Sequence, residues 1–369
     1  MPRGAAGEVR GFASAGHYIQ GPGAIRELPD VAKRFGRSAM MLIDSFFYDR
    51  EIGKFQELFF ESGVTVHFQK FLGECSEEEI EKIRDTTENL GGVKMLIGFG
   101  GGKTLDTARV AAFYLNLPMI LVPTAVASNA ATSGLSVIYD AQHRSKDVFL
   151  YRNPEYILAD TNYIISAPAR MLAAGIGDSL ATYFEARNNW RANNINTVMP
   201  GYRATLCGRY IAKACRDTLL EYGKWAYMAA EKHLRTEAFE NVVEAVNLLS
   251  GIGWENNGCS ITHGLAAVIP QIEDTKGYLH GECVALCVLI QLILDNENRD
   301  EFDRIYQFCK ELHLPLCFGD IGITEQVEEK ARFVAERACE TQGIVRIADY
   351  EINPEKIYHA IMFLNALSQ

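Results

Sequence analysis

Two histidines stand in matching settings, Thr262-His263-Gly-Leu265 and Leu279-His280-Gly-Glu282, and one aspartate, Asp178, lies within the run Ala174-Gly-Ile-Gly-Asp-Ser-Leu-Ala-Thr-Tyr-Phe-Glu185. Two imidazoles and a carboxylate form a three-ligand set for a divalent cation such as Zn²⁺, with a coordination position left open for a substrate. Helical spacing puts Leu172, Ile176, Leu180 and Phe184 on one stripe and Asp178 on another face. There it is accompanied by Ala174, Ala181 and Thr182, small side chains past which another group can approach. Spacing alone does not decide between this and two separate, satisfied histidines, because the eight histidines of the chain generate many such pairs.

A second chemical signal is the run Met95-Leu-Ile-Gly-Phe-Gly-Gly-Gly-Lys-Thr-Leu-Asp-Thr-Ala-Arg109, which sets Gly100, Gly101 and Gly102 between an apolar strand and an amphipathic helix. Without Cβ atoms, such a turn lets backbone N–H groups approach a pyrophosphate at the positive end of the helix. Lys103 can add charge, and Asp106 in the first turn can stabilise the helix or orient a ligand group. Neither familiar fingerprint fits. Ile97 stands where the first glycine of GxxxxGK[ST] belongs, and Lys103 where the third glycine of GxGxxG belongs. A tight strand-to-helix turn without a ligand remains the plain alternative. Asp44 ends the strand Met-Met-Leu-Ile-Asp, from which a carboxylate can bind an adenosine ribose and repel a 2′-phosphate, favouring NAD over NADP. An ordinary turn aspartate explains it equally well.

These residues need a scaffold, and the patterning supplies one in two parts. Short β-rich runs at 39–43, 64–68, 95–97, 119–122 and 156–158 alternate with segments of helical spacing such as 24–35 and 76–90. Strands separated by helices imply parallel pairing through crossovers, hence a Rossmann-like α/β sheet. Residues 136–151, with Asp140, Gln142, His143 and Arg144 between β-like flanks, read as a hairpin or excursion. Beyond about residue 165 the pattern is helical: 168–190, 198–220, 224–234, 237–254, 281–295, 299–312, 323–340 and 354–366. The expected domains are therefore an α/β domain over 1–165 and an all-helical domain over 166–369. Length alone favours two cores and a cleft between them.

Composition narrows the partners. With 36 basic against 47 acidic residues the net charge is −11, a surface unsuited on average to nucleic acid or anionic lipid. The nine cysteines form no CxxC pair and read as buried thiols in a reducing compartment. The first 25 residues lack a signal-peptide core, and the longest apolar stretch, Val284 to Leu294, is too short to span a bilayer and reads as a buried helix. The expected location is cytoplasmic.

Taken together, Gly100-Gly-Gly-Lys-Thr-Leu-Asp-Thr-Ala108, Pro123-Thr-Ala125, Thr132-Ser-Gly-Leu-Ser-Val-Ile-Tyr139, Gly175-Ile-Gly-Asp-Ser-Leu-Ala-Thr-Tyr-Phe-Glu-Ala-Arg187 and His280-Gly-Glu282 resemble glycerol dehydrogenases of the iron-containing alcohol dehydrogenase superfamily. The blocks occur in the right order over nearly the whole chain. The resemblance implies a dehydroquinate synthase-like fold, with NAD in the N-terminal domain, the metal on the helical domain across the cleft, and a homo-oligomer. By it Asp44, Gly102, Lys103, Asp106, Thr124, Ser133, Leu135 and Tyr139 fall on nucleotide-binding positions, and Asp178, His263 and His280 on metal ligands.

Three departures bear on chemistry. Iron-binding relatives carry a further histidine one helical turn after the ligating aspartate; here it is Thr182, which favours zinc over Fe²⁺ or another divalent metal. Glycerol dehydrogenases carry an aspartate near the substrate hydroxyls where this chain has Asn129, an amide that still hydrogen-bonds but does not discourage anions. Their second histidine after the first metal histidine is also absent, the segment reading His263-Gly-Leu-Ala-Ala267. The implied reaction is reversible, metal-assisted oxidation of a small polyol or secondary alcohol to the ketone, with hydride passing to NAD. A hydroxycarboxylate (2-oxo acid) dehydrogenase is the alternative on the same fold. A dehydroquinate synthase-type lyase and a non-enzymatic nucleotide-binding protein rank below it.

Overall fold

A computed structural model of the chain describes residues 9–140, 145–149 and 152–368. The chain divides into two compact units, Ala13–Pro168 and a second that runs from Ala169 and includes the segment ending at Phe12. That segment, expected with the sheet, pairs in the helical unit instead. Its strand β1 (Arg10–Gly11) lies parallel to Arg203–Ala204.

In the sheet unit, β2 (His17–Gly21), β3 (Ser38–Asp44), β4 (Thr65–Phe71), β5 (Met95–Gly100), β6 (Met119–Pro123) and β9 (Tyr156–Asp160) form one parallel sheet in the order β2-β9-β6-β5-β3-β4. The inner strands are buried on both faces, which is why they read as nearly unbroken apolar runs. Their residues alternate between two cores. Met40, Leu42, Leu96 and Leu121 pack with Ile80 and Ile83 of α3 (Glu77–Leu90) and Ala108 and Ala111 of α4 (Gly102–Tyr114). Met41, Ile43, Ile97 and Val122 pack with Leu28 and Val31 of α1 (Leu28–Lys33) and Phe55 and Phe59 of α2 (Ser45–Phe60). Each buried Leu, Ile, Val, Met or Phe among them contributes about 1.5–3 kcal/mol relative to exposure, so the sheet is a well-packed platform.

From β3 the chain moves outward to β4, then returns to β5 on the other side of β3. The carboxyl ends of β3 and β5 thus flank the point where winding reverses, the place where open α/β sheets bind ligands. The hairpin expected near 136–151 is present as antiparallel β7 (Leu135–Tyr139) and β8 (Ser145–Phe149); Gln142, His143 and Arg144 lie outside the described residues. A short helix, α5 (Thr161–Ile164), follows β9.

The second unit is helical. α6 (Ala169–Arg191) packs against α7 (Leu206–Glu231) and α11 (His280–Leu294). α11 is buried from Gly281 to Leu292, as its apolar sequence requires, and no described helix is long and apolar enough to cross a membrane. Two helices expected over 198–220 and 224–234 are one, α7, because Gly223 serves packing rather than termination: a Cβ there would lie 2.6 Å from the Phe308 ring. The expected helix 237–254 is α8 (Glu237–Glu244), a π-helical stretch (Ala245–Ser250) and α9 (Gly251–Asn257), closed by Gly258 at φ +88°. The remaining helices are α10 (Ile261–Ala266), α12 (Arg299–Glu311), α13 (Val327–Thr341) and α14 (Pro354–Leu367).

Candidate metal centre and nucleotide turn

One face of α6 organises the helical unit's polar chemistry. At its start Arg170 donates to both oxygens of Glu282, at 2.6 and 2.7 Å, and Glu282 also accepts from the Leu279 N–H, closing the first turn of α11. A helical turn later the two backbones nearly touch. A Cβ on Gly281 would lie 1.9 Å from the Ala174 carbonyl oxygen, and one on Gly177 would lie 2.5 Å from the Gly281 carbonyl oxygen. Glycine at both positions lets Asp178 and His280, the next residues along, come together.

The three expected ligands do converge. The Nε2 atoms of His263 and His280 lie 3.5 and 3.6 Å from the same Asp178 oxygen, Oδ1, and one donor atom from each residue falls within 4.8 Å of the others. Donors about 2.1 Å from a tetrahedral ion are themselves about 3.4 Å apart, so the set fits a small divalent cation. Asp178 is buried while the His280 side chain is 51% exposed, so one side of the group is accessible. The helices expected over 237–254 and 281–295 left His263 between them; it lies inside α10, a six-residue element too short for periodicity to reveal. At the position where iron-binding relatives place a histidine, the Thr182 hydroxyl is buried against that of Ser250, 2.9 Å away.

Sequence reasoning missed Glu185 as a functional residue. It is fully buried; its Oε2 lies 2.5 Å from His263 Nδ1, and its Oε1 accepts the N–H groups of Ser260 and His263, each at 2.8 Å. The available signal was position, two helical turns after Asp178 on the same face of α6.

Burial works against protonation of His263, but the carboxylates of Glu185 and Asp178 outweigh it and push its pKa up to about 10. A cation entering the site must displace that proton. Affinity for a divalent cation is therefore expected to fall as pH decreases, because the proton and the ion would compete for His263. Calorimetric titration of the metal-free chain at pH 7, in buffers of different ionisation enthalpy, is expected to register about one proton released from His263 per ion. No release would show that His263 does not ligate.

In the sheet unit, Asp44 caps α2, accepting the Phe46 N–H at 2.9 Å, and accepts the Thr104 hydroxyl at 3.0 Å. This joins the ends of β3 and α4 at the winding reversal. Gly100 is required here, since a Cβ would lie 2.8 Å from that of Asp44, whereas one on Gly101 would meet nothing within 4 Å. The start of α4 is thus open to an incoming group and carries the positive end of the helix dipole. Lys103 pairs with Glu74 at 2.9 Å, 5.3 Å from the Tyr139 ring centre. The Thr124 N–H donates to the Gly100 carbonyl, and Ser133 is buried. Asn129 lies on the same loop between β6 and β7, in the sheet unit; the three putting together the metal group belong to the helical unit.

Asp106 turns inward. Its carboxylate accepts Arg109 Nη1 at 2.5 Å and the Val137 N–H at 3.1 Å. The fully buried Arg109, unforeseen in the sequence, also donates to the Leu135 carbonyl at 2.7 Å, the Ser136 hydroxyl at 3.0 Å and the Ala130 carbonyl. The pair fastens to α4 the loop that carries Ser133 and Leu135. Arg109→Met would leave Asp106 as a buried, uncompensated charge, a loss expected to cost about 3–5 kcal/mol. Thermal melting is expected to show it, and an unchanged melting temperature would remove the loop-fastening role of the pair.

Comparison with known proteins agrees with this geometry. Residues 15–161 match the family model of iron-containing alcohol dehydrogenases. A glycerol dehydrogenase of Thermotoga maritima is 39% identical, with 94% of each chain covered. The chain belongs to the iron-containing alcohol dehydrogenase family. Within that family it is glycerol dehydrogenase-like: the crystal structure of glycerol dehydrogenase from Schizosaccharomyces pombe superposes with a TM-score of 0.92 at 35% identity, covering 99% of this chain and 92% of that one. A glycolaldehyde reductase of Halobacterium salinarum is 33% identical over 95% of this chain and 96% of its own. The family implies a nicotinamide cofactor and a divalent metal, and the Asp178, His263 and His280 donors fit the latter.

Proposed function

We propose that this family member is an NAD-dependent, zinc-dependent dehydrogenase that reversibly oxidises a small polyol or secondary alcohol to the ketone. The observation that carries the reading is the convergence of two imidazole nitrogens on one buried carboxylate oxygen, 3.5 and 3.6 Å away. Bound there, a divalent cation would supply Lewis acidity that lowers the pKa of a hydroxyl, as it lowers that of water from 15.7 to about 7. Asp178 would contribute the negative charge that holds such a cation, and His263 and His280 the two nitrogen donors. The chain offers no fourth nitrogen at Thr182, which supports zinc rather than iron. The open start of α4 beside Asp44 supports binding of the pyrophosphate and ribose of NAD. Nine cysteines, none of them in a disulfide among the described residues, support a reducing, cytoplasmic setting.

The test is a panel of small diols, triols and 2-hydroxy acids with NAD and NADP, read by absorbance of the reduced cofactor. Vicinal diols or triols with NAD are expected to lead. Asn129, which carries no charge to repel a carboxylate, makes 2-hydroxy acids the second arm of the panel; their clear preference would move the assignment to a hydroxycarboxylate dehydrogenase. Asp44→Ser, which keeps a capping oxygen for α2, is expected to narrow the NAD over NADP preference by about tenfold, or 1.4 kcal/mol. An unchanged ratio of kcat/KM values would show that Asp44 does not face the ribose.

A further inference from the structure

The helical unit contains a second group of metal-ligating side chains beside the first: one donor atom each from Glu185, Cys259 and His263 falls within 4.8 Å of the others. Their lone pairs and protons are already committed. Glu185 Oε1 holds the backbone N–H groups of Ser260 and His263, its Oε2 faces His263 Nδ1, and the Cys259 sulfur accepts the Trp254 indole N–H at 2.9 Å. The group is a bracket rather than a second cation site.

The bracket solves a specific problem. His263 sits on α10, only six residues long, whose N-cap residue Ser260 provides no side-chain cap. So short a helix has little stability of its own. Glu185 reaches from α6 to serve as its cap while also engaging the imidazole. A neutral imidazole that donates from Nδ1 has its lone pair on Nε2, the atom that faces Asp178. One buried carboxylate therefore fixes the position of α10, the rotation of the ring and its tautomer.

We infer that Glu185 is a positioning residue for the metal centre, holding His263 with Nε2 directed at the cation. The inference rests on the proposed metal site, and it concerns affinity for the ion rather than the step catalysed. Asn189, one turn further along α6, provides the natural control. It donates to the carbonyls of Gly258 and Cys259, at 3.4 and 3.0 Å, tying the same turn to α6 without touching His263.

The experiment measures the Zn²⁺ dissociation constant of the metal-free, full-length chain by competition with a chromogenic chelator, with folding checked by circular dichroism. Glu185→Gln keeps the shape but cannot satisfy two N–H groups and the imidazole N–H together. It is expected to weaken Zn²⁺ binding roughly 10-fold, the low end of such positioning effects, because loss of the Glu185 charge also relieves part of the proton competition at His263, while Asn189→Ala stays within about threefold of wild type. The same loss in both variants would show general loosening and overturn the inference, as would a Glu185→Gln affinity equal to wild type. Wild-type chain that binds no Zn²⁺ would overturn the metal site itself, a distinguishable failure. If the Gln variant does not fold, Glu185→Asp, which withdraws the carboxylate by one methylene, carries the same expectation.

Discussion

Asp178→Asn is expected to lower affinity for Zn²⁺ by roughly 10²–10³-fold, equivalent to about 3–4 kcal/mol, and alcohol oxidation with it. Asp178 is the hub of the donor group, since the Nε2 atoms of both imidazoles lie nearest its Oδ1, at 3.5 and 3.6 Å. An amide of the same shape keeps the packing of α6 but removes the negative charge on which a doubly charged ion depends. The variant should therefore fold normally while losing metal and turnover together. Metal content by mass spectrometry, alongside the rate of NADH formation at saturating zinc, checks this. Equal zinc in both proteins would exclude Asp178 as an important ligand.

Gly281→Ala is expected to have the larger effect on structure. The added methyl would lie 1.9 Å from the Ala174 carbonyl oxygen, and because that atom is helix backbone it cannot turn aside as a flexible side chain would. Relief requires α6 and α11 to move apart. Overpacking of a well-filled core costs about 1–3 kcal/mol and occasionally more, and backbone-to-backbone contact places this case at the upper end. The separation also draws His280 away from Asp178, so Zn²⁺ affinity is expected to fall with the melting temperature. Gly343→Ala, at a site where the added atom meets nothing within 4 Å, is the matched control and is expected to leave both unchanged. A Gly281→Ala chain with wild-type stability and zinc affinity would refute the close crossing.

The inner strands were legible because they are buried on both faces, so β3 and β5 appear as apolar runs ending at Asp44 and Gly100, whereas the edge strand β2, only partly buried, went unread. The three proposed metal donors were nominated by residue type, with a small-residue face around Asp178 and a glycine after each histidine, but spacing left two separate histidines equally open and only the family resemblance singled the set out. Gly281 proves to be a point of backbone contact, whereas Gly264 packs against Val345. What stayed hidden depends on contacts remote in sequence. Glu185 and Arg109 have the composition of ordinary helix-surface charges, yet both are fully buried and, apart from the Arg109 pair with Asp106, satisfied by partners 21 to 78 residues away. α10 was invisible because six residues do not establish a period, and its cap comes from another helix. Gly223 illustrates the reverse error, a helix breaker by type that survives mid-helix because Phe308 occupies the space of its missing side chain.

The central claim is that Asp178, His263 and His280 share one divalent cation. Anomalous diffraction at the zinc edge from crystals of the zinc-loaded chain tests it most directly. The account predicts a single peak per chain, with Asp178 oxygen and the two Nε2 atoms each about 2.0–2.2 Å from it. A zinc peak elsewhere, or one contacted by fewer than these three side chains, would contradict it.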